Sequence, residues 1–186
     1  MIEGGFRKNI FETFYISKEV IDNPLINELK KFSKKIKKDG LIKDGSNAIF
    51  SIGFGKRVLI NAKVKDYSNI LKEELIEIAD YDPVKNNMLL IGKNKPFLET
   101  PIHWMIHHAR SDVRFIVQLD NKKILNENKG KFPETKNELK TCSIDMIKDI
   151  MGKIKDSKIV IIKNHGILFI GNSKKEIEKI IQKVKR

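Results

Sequence analysis

The apolar positions of this chain switch repeatedly between a helical period and a strand period. Leu25, Ile26, Leu29, Phe32 and Ile36 fall on one face at helical spacing, with lysines filling the other face. Pro24, after Asp22-Asn23, suits a first helical position, and Asp39-Gly40 suits the end of that helix. Ala48-Ile49-Phe50-Ser51-Ile52 and Arg57-Val58-Leu59-Ile60 then flank Gly53-Phe54-Gly55-Lys56, the pattern of a hairpin. Further strands are predicted at 75–78 and 88–91 around the turn that opens with Asp82-Pro83. A short helix near 69–73 precedes them, and Thr13-Phe14-Tyr15-Ile16 has the composition of a strand.

In the second half, Thr100-Pro101 is expected to cap a helix that buries Ile102, Met105, Ile106 and Ala109. A strand over 113–119 follows. Residues 121–136 are polar and lysine-rich, with Gly130 and Pro133, and read as a loop with room for one helical turn. From Asn137 to Lys155, Leu139, Cys142, Met146, Ile147, Ile150 and Ile154 predict a long helix. Strands at 158–162 and 167–170 bracket Asn164-His165-Gly166. Ser173 to Glu176 has the form of a capping box, opening a last helix on Ile177, Ile180, Ile181 and Val184. Strand links made mostly of hairpins, with helices between some of them, predict an α/β fold. Its sheet is mixed and largely antiparallel, and helices cover both faces. With no internal repeat and no linker composition, residues 1–186 read as one domain.

Composition narrows the function classes. No apolar run approaches the ~20 residues that span a bilayer, and the first residues lack the apolar core of a secretory signal. The single cysteine, Cys142, excludes an internal disulfide and fits a reducing cytosol, so a cytoplasmic protein is expected. The net charge of +13 can draw anionic partners. Most of it is lysine on the outer face of a helix, with no interleaved aromatics to stack bases. Nucleic acid is therefore the less favoured partner, although binding through the lysine surface stays open as an alternative.

Candidate chemistry gathers at a few points. His165 stands between two strands in an Asn-His-Gly turn, where an imidazole can reach a ligand. The same tripeptide also makes a tight turn in its own right. Gln118 and Asp120 are two residues apart on a strand, so their side chains share a face. Glu99 stands just before a helix start, where a negative charge is favourable whatever else it does. His103 and His107 are one helical turn apart and close enough to share a metal. Trp104, however, occupies the place where a zinc-protease helix carries its glutamate. Structural or surface roles are the expectation for His103, His107 and His108.

The order of Gly45-Ser46-Asn47, Glu99 before a helix, Arg110-Ser111-Asp112-Val113 into a strand, then Asn164-His165-Gly166 resembles the class II aldolase and adducin-head family. The resemblance covers roughly residues 25–182. It implies a three-layer α/β/α domain that assembles as a tetramer. It also implies a zinc site of three histidines, the third at His165, with a catalytic acid/base at Glu99.

Two of the family's zinc ligands form a His-x-His pair, and this chain has Gln118-Leu119-Asp120 there. Amide and carboxylate oxygens suit magnesium or manganese better than zinc. The resemblance therefore implies a degenerate site of His165, Asp120 and Gln118, with no cofactor as the expectation and one divalent metal as the alternative. The family's phosphate-binding serines are replaced by Phe97 and Leu98. Its second phosphate turn aligns with Asn61 to Val64, where Lys63 is the one candidate, and Asn47 is carried over from the Gly-Asn loop. The segment after the His-x-His strand is compressed into 121–136.

These features together predict a class II aldolase-like binding or assembly module without the standard aldolase activity. It is expected to be a homo-oligomer with a possible protein partner and no membrane association. The alternative is a divalent-metal lyase or isomerase acting on a small hydroxy-carbonyl compound through Glu99 and His165.

Overall fold

The computed structural model describes residues 11–136 and 143–184. Eight strands form one sheet. They are β1 (Glu12–Ser17), β2 (Ala48–Phe54), β3 (Arg57–Asn61), β4 (Leu75–Asp82), β5 (Asn87–Ile91), β6 (Phe115–Leu119), β7 (Ile159–Ile162) and β8 (Gly166–Gly171). Their spatial order is β1-β5-β4-β3-β2-β6-β8-β7. The β1–β5 pair is parallel and the other pairings are antiparallel. The mixed, largely antiparallel sheet expected from the hairpin pattern is therefore present.

Helices α1 (Ile26–Lys38), α2 (Thr100–Ala109), α3 (Lys122–Glu127), α4 (Ile144–Lys153) and α5 (Lys174–Val184) surround it. On one face, Phe32 and Ile36 of α1 and Ile177 and Ile181 of α5 pack against Phe50, Phe115, Val117 and Phe169 of the sheet. On the other, Ile102 and Ile106 of α2 and Met146 and Ile150 of α4 cover Ile116, Val160 and Leu168. Trp104 of α2 joins Ile49, Val58 and Ile76 in a third apolar cluster. The strand period explains the split. In β2, Phe50 and Ile52 face α1 and α5, whereas Ile49 and Ser51 face α2. No helix among the described residues is long and apolar enough to cross a membrane.

Several local expectations are corrected. Thr100 does not cap α2. Glu99 holds the N-cap position without a side-chain cap bond, and the Thr100 hydroxyl is buried inside the first turn without a hydrogen-bond partner. The long helix of the second half is described as α4 alone, with Ser143 Oγ accepting from Met146 N–H at 3.2 Å. Leu139 and Cys142 lie outside the described residues. The capping box of α5 forms by half. Ser173 Oγ accepts from Glu176 N–H, but the Glu176 carboxylate reaches past Ser173 to the Asn172 N–H at 2.7 Å and to Lys158.

Candidate functional site

Three neighbouring strands end together. Asp120 N–H, just past β6, donates to Asn47 O, just before β2, at 3.1 Å. On the other flank the β7–β8 turn closes with His165 N–H donating to Ile162 O at 2.9 Å. Asn164 there has φ +65° and Gly166 φ +136°, conformations that Asn and Gly tolerate best. Gly166 also presses on β6, since a Cβ there would lie 2.3 Å from Leu119 O. The first turn of α2 brings Glu99 across the opening.

The result is a cavity of about 180 Å³ lined by Asn47, Ile49, Phe97, Glu99, Gln118, Asp120, Asn164 and His165. Five of the six residues singled out from the sequence thus meet in one place. The sixth, Lys63, lies in an adjoining recess with Lys37, Lys43, Gly45 and Tyr67, and Asn47 borders both spaces. A larger recess on the other side shares Asp120 and Asn164 and is lined by Lys122, Lys129, Glu134 and Lys163.

His165 Nδ1 stands 3.7 Å from Glu99 Oε1, and both side chains are mostly buried, at 25% and 18% exposure. A carboxylate and an imidazole at that spacing can hand a proton to a bound ligand and steady the charge that results. Gln118 is 4% exposed, and its Oε1 has no hydrogen-bond partner.

Behind Gln118 lies a polar cluster that periodicity alone did not reveal. Ser51 Oγ is 2.8 Å from His103 Nδ1 and 2.9 Å from His107 Nε2, and His107 Nδ1 is 3.3 Å from Val113 O. Burial pushes His103 down to about 3, helped by the neighbouring His107 and opposed by the Gln118 carboxamide. Burial likewise pushes His107 down to about 4, opposed by the Val113 carbonyl. Both rings are therefore neutral near pH 7. The signal available in the sequence was a pair of histidines at helical spacing on the apolar face of α2, opposite a serine on the matching face of β2. His108 stands apart, stacked on Trp104 at 3.7 Å.

Asn61 was also missed as a structural residue. It is fully buried and ties β2 to β3, accepting from Phe50 N–H at 2.6 Å and donating to Ala48 O and Ala62 O. Tyr67 Oη bonds both the N–H and the C=O of Ala48. Together they fix the residue next to Asn47.

The zinc that the family resemblance implies does not fit this donor set. At the three positions where the resemblance puts zinc ligands the cavity offers the His165 imidazole, the Asp120 carboxylate and the neutral amide of Gln118, with the Glu99 carboxylate beside His165, whereas the family's zinc is held by three imidazoles. Among the described residues no group of three or more His, Cys, Asp or Glu side chains is arranged to hold a metal ion.

Comparison with known proteins places the fold. No curated protein matches the sequence. Solved structures match over most of the chain at low identity. An L-fuculose 1-phosphate aldolase superposes with a TM-score of 0.69 at 15% identity, covering 89% of this chain and 85% of its own. A sugar-phosphate aldolase from Thermotoga maritima gives 0.64 at 14% identity, covering 87% and 93%. The N-terminal class II aldolase domain of a conserved protein from Thermoplasma acidophilum gives 0.61 at 14% identity, covering 91% and 94%. The family model for the class II aldolase and adducin N-terminal domain matches residues 27–119, a span that includes Asn47, Glu99 and Gln118. With half of its length matched by that model and the same fold over most of the chain, the chain belongs to the class II aldolase and adducin N-terminal domain family.

Proposed function

We propose that this chain is a single class II aldolase-like domain that binds a small hydroxy-carbonyl ligand in the Glu99–His165 cavity. It acts as a binding or assembly module and does not cleave sugar phosphates in the standard zinc-dependent way. The observation that carries this reading is the cavity lining. Gln118 and Asp120 stand where the family resemblance puts imidazole ligands, and apolar Phe97 stands where it puts a phosphate-binding serine. Asn47, which borders both this cavity and the recess that holds Lys63, remains as a polar contact for the far end of a ligand. A homo-oligomer is part of this reading, and sedimentation of the purified chain tests it. The activity test is cleavage of L-fuculose 1-phosphate with added zinc. No turnover above background is expected, and turnover that depends on Glu99 would overturn the proposal.

A second reading is favoured by the 3.7 Å approach of Glu99 to His165. In it the pair moves a proton at the carbon next to a carbonyl, as in an isomerase or lyase. Deuterium uptake from solvent into dihydroxyacetone, in the parent and in Glu99→Gln, tests it. Uptake unaffected by the substitution would remove this assignment of roles.

A further inference from the structure

The buried chain His107–Ser51–His103 ends against Gln118, and its hydrogen-bond polarity can be read from its other end. Val113 contributes a backbone carbonyl, which only accepts. His107 Nδ1, at 3.3 Å, must therefore carry the ring proton. His107 Nε2 is then a lone pair, and the Ser51 hydroxyl must donate to it. The Ser51 oxygen is left to accept, so His103 must carry its proton on Nδ1. His103 Nε2 is left as a bare acceptor facing the Gln118 carboxamide.

The two ends of a carboxamide are equal in size, so hydrogen-bond chemistry decides which end faces the imidazole. A carbonyl oxygen there would leave two acceptors opposed, and Gln118 Oε1 and His103 Nε2 are indeed both buried without partners in that arrangement. Turning the NH₂ group towards His103 gives the His103 Nε2 lone pair a donor. It also puts the carbonyl oxygen at the opposite end, against the cavity that Gln118 lines. The reversed chain, with His103 donating to Gln118, would set the His107 Nδ1 lone pair against the Val113 oxygen.

We infer that His107, Ser51 and His103 form a proton-ordered strut that positions Gln118 as a hydrogen-bond acceptor in the cavity, so that this wall takes a hydroxyl donor of the ligand. The ligand class rests on the function proposed above, while the strut does not. Its three members are positioning residues, since only Gln118 meets the ligand. The strut fixes both histidines in the Nδ1–H form, the less common tautomer of a free imidazole.

Nitrogen-15 NMR of the histidine rings in the ligand-free protein tests this directly. The expected result is Nδ1–H for both His103 and His107. An Nε2–H form of either ring would overturn the strut. Ser51→Ala and His107→Phe each remove the anchor, so His103 is expected to shift to Nε2–H and donate to Gln118. An unmoved His103 tautomer in both folded variants would also contradict the inference. For the ligand wall, dihydroxyacetone is the probe. Ser51→Ala is expected to weaken its binding about tenfold, the loss of roughly one well-made hydrogen bond. Unchanged affinity would overturn the acceptor role. A parent protein that does not bind the probe, yet shows both Nδ1–H rings, would contradict the proposed ligand and leave the strut standing.

Discussion

Gly166 and Leu119 touch backbone to backbone, and a Cβ on Gly166 would lie 2.3 Å from the Leu119 carbonyl oxygen. This contact seats the His165 turn on the end of β6, beside Asp120. Both the space and the φ of +136° require glycine. Gly166→Ala should therefore cost roughly 2 kcal/mol or more through strain alone, with a lowered denaturation midpoint. The His165 ring resonances should move with it. A variant as stable as the parent would mean that β8 can back away from β6 freely.

Glu99 and His165 are expected to matter for chemistry more than for folding. Their 3.7 Å pair is partly open to solvent, so Glu99→Gln should change stability by less than about 1 kcal/mol. Any proton transfer at this site should fall by about a hundredfold or more. Chemical denaturation and deuterium uptake, measured on the same preparation, separate the two effects.

The buried histidines make stability depend on acid. His103 and His107 are held at about 3 and about 4, below the ordinary 6.5, chiefly by burial. As pH falls below 6.5 the unfolded chain takes up protons that the folded chain refuses. The stability is thus fully present above pH 6.5 and is lost progressively towards pH 4. Each ring can contribute a slope of up to about 1.4 kcal/mol per pH unit in that window. His103 should carry the larger share, because an edge of His107 meets the outer recess beside Gly53 and Arg114. Denaturation midpoints from pH 7 to pH 4 check this, and His103→Phe should flatten the curve.

Asn61 joins the two central strands through side-chain bonds that no other residue replaces. Asn61→Ala would leave the buried Phe50 N–H without its partner and the Ala48 C=O with Tyr67 Oη alone, at a cost of about 1–3 kcal/mol. The loop carrying Asn47 should loosen as well. Hydrogen exchange at Phe50 reads that loosening, and unchanged protection would contradict it.

The fold was legible in the sequence because its elements are strongly patterned. The apolar runs of β2 and β3 either side of the Gly53–Lys56 turn and the apolar faces of α1, α4 and α5 each name their own structure. That Glu99, Gln118, Asp120, Asn47 and His165 line one cavity follows the order of the motifs that carry them along the chain. The polar interior was not. Ser51 reads as one more small residue in an apolar strand, and its role depends on two histidines more than fifty positions away. Thr100 looked like a cap because its composition fits one, yet packing drew it into the first turn of α2. Lys63 aligned with a phosphate turn, but, two residues past the end of β3, it lines the next recess.

Whether Gln118 and Asp120 can still hold a zinc beside His165 decides the proposed function. Elemental analysis of protein purified without tags, chelators or added metal tests it most directly, followed by calorimetric titration with zinc. Far less than one zinc per chain and no tight uptake on titration are expected. About one tightly held zinc per chain, lost together with His165→Ala, would contradict the proposal.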